Sequence, residues 1–309
     1  MLGAFLLIIV GLSGDPEHGE LFHGWGDTLA EASLQLGIPE ERIIYLAEDL
    51  EAGTLASARS TREAIGEAID RIAGVAAVDD VVFVTVFGHG TFDGRDAKVN
   101  LPGPDLSASE FDEMLERLAP TPVVFVDTTS ASGPFIEELS GPGRTIVTAT
   151  RNGAEQYVTL FGGFFVEALT SEDADADKNR RVSMLEAFQY SRRLVAAAYE
   201  REGLLLTEHA LLDDNGDGEG SDEPTLLEGD GVIAATFSLG STDAAALPTD
   251  PQVRALYVER QGMERRIESL RLLRGSMDPV RYASELERLA TELVLKTREI
   301  RALEGTPNP

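Results

Sequence analysis

A three-layer α/β sandwich around a mostly parallel central sheet, followed by an α-helical hairpin, is the fold class this sequence predicts. Apolar runs of strand length recur at 5–12, 42–46, 81–87, 122–126 and 145–149, with a weaker run at 231–239. Between them lie stretches of helical periodicity at 24–36, 59–74, 107–118 and 159–170. The runs are mostly apolar instead of alternating, which marks strands covered on both faces, and strands that alternate with helices build a parallel sheet.

The elements follow in order. The first run contains no charge and is far shorter than the roughly 20 residues of a membrane span. No Lys or Arg precedes it as in a signal peptide, so it reads as a buried strand. Asp79 and Asp80 before the third run, and Asp127 after the fourth, mark places where the chain is expected to meet solvent. From 172 to 230 the chain is crowded with acids and reads as acidic, Ca²⁺-loop-like insertions in an α/β domain spanning 1–240. The hairpin occupies 250–305: Val253, Leu256, Met263, Ile267 and Leu270 recur at helical spacing, as do Tyr282, Leu286, Leu289, Leu293, Ile300 and Leu303. Gly275 to Pro279 breaks the two, with Asp278 as N-cap and Pro279 at the first helical position.

Charge narrows the function. The 309 residues carry 26 Lys+Arg against 54 Asp+Glu, a net of −28. Residues 1–249 hold −29 of this, and the tail is +1. So acidic a surface repels phosphate backbones and anionic lipid heads, which argues against nucleic acid and membrane as partners and for cations or basic segments. Cysteine is absent, so the chain has no disulfide, thiolate ligand or thiol nucleophile.

Two motifs sit at strand ends. The run 81–87 ends in Gly88-His89-Gly90, delivering an imidazole between glycines at the edge where open α/β sheets bind ligands. The run 122–126 ends in Asp127-Thr128-Thr129-Ser130-Ala131-Ser132-Gly133-Pro134, four hydroxyls in a strand-to-helix turn. Such a turn can present a nucleophile beside backbone N–H donors, or can cap the helix starting near Pro134.

Together, strand–Gly-His-Gly and strand–Asp-x-x-x-x-Ser-Gly resemble the legumain-type asparaginyl peptidases and, more broadly, the caspase-like cysteine peptidases. The resemblance covers most of 5–240. It implies that His89 matches the catalytic His, Gly90 the oxyanion-hole glycine, and Ser132 and Gly133 the Ser-Gly that follows the nucleophile. Counting back from Ser132 places the family's Cys at Ser130; counting forward from Asp127 places it at Thr129. The family's Arg after the first strand is replaced by Ser13-Gly14-Asp15-Pro16-Glu17-His18, and Arg151 is the candidate substitute for binding substrate. A serine hydroxyl needs a base held in one tautomer by a third group, and no acid is positioned by sequence to hold His89.

Two acidic loops point to Ca²⁺. Asp175, Asp177, Asn179, Arg181, Ser183 and Glu186 fall at positions 1, 3, 5, 7, 9 and 12 of an EF-hand loop, Arg181 through its carbonyl. Arg180 stands where a glycine with φ > 0 is usual, and the alternative is an acidic turn capping a helix. Asp213, Asn215 and Asp217 form half of a second such loop. The expected function is that of a legumain-like peptidase homologue without its Cys nucleophile, a pseudo-peptidase binding Ca²⁺ and peptide. The alternatives are a serine-type peptidase with a His89/Ser130 dyad, and an interaction protein that docks or self-associates through 250–305. The Ca²⁺ loops and the resemblance favour an extracytoplasmic setting.

Overall fold

β1 (Ala4–Val10) is buried along its whole length, as seven successive uncharged residues require. It pairs in parallel with β2 (Ile43–Ala47) on one side and β4 (Val81–Phe87) on the other. The sheet continues outward through β3 (Ala58–Arg59) beyond β2, and through β8 (Val123–Asp127), β9 (Arg144–Thr148) and β10 (Leu211–Asp213) beyond β4. All seven strands are parallel except β10, which runs against β9. A separate small antiparallel sheet joins β5 (Gly90–Phe92), β6 (Ala97–Val99) and β7 (Leu106–Ser107). This computed structural model describes residues 3–50, 55–78, 80–226 and 229–239, parts of 253–270, and 279–304.

Strand alternation sorts the core into two layers. Leu6, Ile8 and Val10 pack with Phe22 and Leu29 of α1 (Pro16–Gln35), Phe161 and Phe165 of α5 (Phe161–Thr170) and Phe188 of α6 (Met184–Glu202). Phe5, Leu7 and Ile9 pack oppositely, with Ile65 and Ile69 of α2 (Arg62–Ala73), Phe111 of α3 (Ala108–Leu115) and Phe135 of α4 (Phe135–Leu139). The fold is therefore the three-layer α/β sandwich with a mostly parallel sheet.

Register places the site. Val10 lies opposite Phe87, Val86 opposite Asp127, and Asp127 opposite Thr148, so four strands end at one edge. From β1 the chain moves outward to β2, and from β4 it moves the other way to β8. The crevice between the carboxyl ends of β1 and β4 is thus the topological switch point, the usual ligand position in such sheets.

Several expectations change. The run 231–239 is not a strand but a turn with a 3₁₀ helix, Ala234–Thr236, and a single bridge from Ser238 to Ser183. The Asp214 carboxylate accepts from the N–H groups of Gly231, Ile233 and Ala234, and so curls the segment. The antiparallel edge strand β10 comes instead from inside 172–230, which also supplies the 19-residue α6, so that segment is only partly loop. Asp80 does not meet solvent: it is buried and accepts from Gly3 N, Ala77 N and Arg42. Asp127 is fully buried as well. α1 begins at Pro16, with Asp15 capping it through the His18 N–H, well before the expected residue 24.

The chain divides into two units, Met1–Ser241 and Thr242–Pro309. In the second, Val253, Leu256 and Tyr257 pack with Ile300 of the helix Pro279–Glu304, and Ile267 and Leu270 pack with Leu289. The expected break at 275–278 lies outside the described residues. Among the described residues no helix is long and apolar enough to cross a membrane.

Candidate functional site at the switch point

Parallel register carries His89 and the 128–133 turn to the same edge. His89 follows β4 and is half-buried; its backbone carbonyl accepts from Asn100 N at 3.0 Å, which fixes it to the small sheet. Its Nε2 lies 2.8 Å from the carbonyl oxygen of Ser13, beyond the end of β1. A carbonyl only accepts, so Nε2 carries the proton and Nδ1 is left as the basic nitrogen. Ser13 is held in turn by Glu48 Oε1, which accepts from its N–H at 2.9 Å. The orienting group that the sequence seemed to lack is a main-chain oxygen, which has no side-chain signature.

Gly90 is required by packing. A Cβ there would stand 2.0 Å from Ser130 O and 2.8 Å from Thr129 Oγ1. That closeness lets Gly90 N–H donate to Ser130 Oγ at 3.2 Å, while Ser130 Oγ donates to Gly90 O, also at 3.2 Å. Ser130 is followed by Ala131 at φ +59°, a left-handed conformation that costs a non-glycine residue energy, stabilised by Ala131 N–H donating to Glu155 O at 2.8 Å. Thr129 has no accessible surface. Its N–H donates to Asp127 Oδ1 at 2.9 Å, while Thr129 Oγ1 and Asp127 Oδ2 make no hydrogen bond of acceptable geometry. Complete burial pushes the Asp127 carboxyl up to about 6, against the opposing pull of Thr129.

Ser132 and Gly133 tie this turn to the end of β9. Ser132 Oγ lies 3.1 Å from Thr150 Oγ1, and Gly133 N–H donates to that hydroxyl at 2.9 Å. A Cβ on Gly133 would meet the Arg151 backbone at 2.2 Å. α4 begins at Phe135 with Pro134 at its N-cap and no side-chain cap, so the hydroxyl-rich turn is not a helix cap. Arg151 is paired with Asp222 at 2.8 Å and lines a cavity of about 400 Å³ together with Phe92, Gly133, Ile136, Glu137 and Leu211. His89 and Ser130 do not line that cavity.

The first acidic loop does converge. Carboxylate oxygens of Asp175, Asp177 and Glu186 lie within 4.8 Å of one another. Burial first, and then the charge of Glu186 and Asp175, push the Asp177 carboxyl up to about 6. Arg180 takes φ +66°, the left-handed turn an EF-hand loop places at that position. The capping alternative is built into the same residues: Ser183 caps α6, Glu186 Oε2 accepts back from Ser183 N at 2.8 Å, and Glu186 Oε1 accepts from Ala176 N and Asp177 N. Asn179 accepts from Arg181 N. In the second loop Asp213 is buried and accepts from Gly216 N, whereas Asn215 and Asp217 are exposed and bond within their own turns. Burial first, and then the charges of Asp213 and Asp214, push the Asp230 carboxyl up to about 6.

Sequence reasoning passed over Glu155 and Glu208. Glu155 accepts from Arg151 N and His209 N and meets His209 Nδ1 at 2.7 Å. Buried Glu208 accepts from Leu160 N and Phe161 N, capping α5, and burial pushes it up to about 7. Their bonds to His209, Leu160 and Phe161 span more than 40 residues of chain, and no local pattern announces them. Comparison with protein-family models and with curated proteins finds no match to this chain.

Proposed function

We propose that the chain is a legumain-like peptidase homologue that has lost its nucleophile and keeps a peptide-binding edge. The observation that carries this is the pair of bonds between Ser130 and Gly90. The hydroxyl in the nucleophile's place accepts from the N–H that would stabilise an oxyanion and donates to the carbonyl of the same residue. Catalytic donors must instead point at an empty position where charge develops. Ser130 is favoured over Thr129 as the counterpart of the family's Cys, because its Oγ is the hydroxyl that meets Gly90 N–H.

A short fluorescent peptide containing Asn tests the reading. The full chain is expected to bind it without cutting it, and Ser130→Ala, which frees Gly90 N–H, is expected to bind at least as tightly. Cleavage that disappears in Ser130→Ala, or absence of binding at millimolar peptide, would overturn it. Ser13 O gives the serine-peptidase alternative its one support, since it fixes the His89 tautomer. For Ca²⁺, the trio Asp175, Asp177 and Glu186 fits a cation in donor type and closeness.

A further inference from the structure

The switch point holds a second imidazole. His18, in the first turn of α1, lies with its ring centre 5.2 Å from that of His89 and inclined at 73° to it. Phe22 supports both rings, at 5.9 Å from His18 and 5.3 Å from His89. His18 Nδ1 stands 2.6 Å from Asp15 Oδ2, while Asp15 Oδ1 accepts from His18 N. A carboxylate accepts, so the proton of neutral His18 sits on Nδ1 and the lone pair on Nε2. His89 is arranged in the opposite sense, its proton on Nε2 toward Ser13 O and its lone pair on Nδ1.

We propose that His18 and His89 together bind a divalent transition-metal ion of the zinc class through His18 Nε2 and His89 Nδ1. Both rings have the outer partners of metal-ligating histidines, one a carboxylate and one a main-chain carbonyl, which fix the tautomer and ring orientation and raise ligand basicity. Metal–nitrogen bonds of about 2.0–2.1 Å, extended to the ring centres at a tetrahedral angle, set two imidazoles about 5 Å apart. The observed spacing agrees. Imidazole ligands select zinc, nickel or copper over calcium and magnesium, so the site differs in kind from the acidic loops. Both rings are partly open to solvent, which leaves room for water or a ligand group to complete the shell. A metal here would take the one basic nitrogen of His89, so metal binding and activation of Ser130 by His89 exclude one another.

Isothermal titration of the full chain with zinc chloride at neutral pH tests this. Saturable binding is expected, weakened at least tenfold in His18→Gln and in His89→Gln and unchanged in His209→Gln and in Asp177→Asn. Asp15→Asn, which acts only through His18, is expected to weaken it by about 10–100-fold. Isotherms unchanged in both His18→Gln and His89→Gln, or abolished by Asp177→Asn, would overturn the proposal. Zinc-induced shifts of the His18 and His89 ring resonances in the unsubstituted chain provide a readout that needs no variant, and rings that do not shift would overturn it equally.

Discussion

Asp127 shows how a single residue sets the character of the edge. One oxygen is bonded to Thr129 N–H, the other has no bond of acceptable geometry, and burial raises the carboxyl from 3.8 to about 6. A carboxyl raised by folding contributes stability that is present below its unfolded value and is lost as pH rises through about 6. Asp127→Asn keeps an acceptor for Thr129 and carries no charge. It is therefore expected to stabilise the chain at pH 8 by up to about 3 kcal/mol and to have little effect at pH 4. Urea unfolding at the two pH values checks this, and a variant that is less stable at pH 8 would contradict it. The strained Ala131 and the glycines at 90 and 133 belong to the same edge, where backbone closeness replaces side-chain contact.

At the scale of elements, the strands were legible and the acidic segment was not. β1 is apolar along its whole length, and β4 and β8 are nearly so, broken only by Thr85 and the terminal Asp127, while β9 is marked by Ile146 and Val147 between threonines. β10 is three residues long and ends in a buried aspartate, so its polarity hid it. α6 starts in a capping box whose Ser183 and Glu186 could be read equally as cation ligands. Both readings have structural support, because the Glu186 oxygens accept from main-chain N–H groups and also face Asp175 and Asp177. If the loop binds Ca²⁺, adding it raises the melting temperature and chelator reverses the rise, since a ligand held only by the native state adds stability with its concentration. Asp177→Asn is expected to remove that response. A melting temperature indifferent to Ca²⁺ would leave the loop a helix cap alone.

Across the whole molecule, the acidity has a location. Most of it lies in residues 1–249, where carboxylates are turned inward to collect main-chain N–H groups: Asp80 at the start of β4, Asp214 under the 231–234 turn, and Glu208 at α5. Part of what looked like surface charge is thus architecture. His89 and the hydroxyl turn were legible as motifs, because glycine, histidine and serine at strand ends have few structural uses together. That the hydroxyl would be engaged by Gly90, and the imidazole by Ser13, was not legible, since both partners are main-chain atoms brought close by strand register. In the proposed function, those bonds hold Ser130 out of chemistry. Intact-mass measurement after incubation with a fluorophosphonate tests it most directly: no adduct on the full chain is the predicted result, and a stoichiometric adduct that disappears in Ser130→Ala would contradict it.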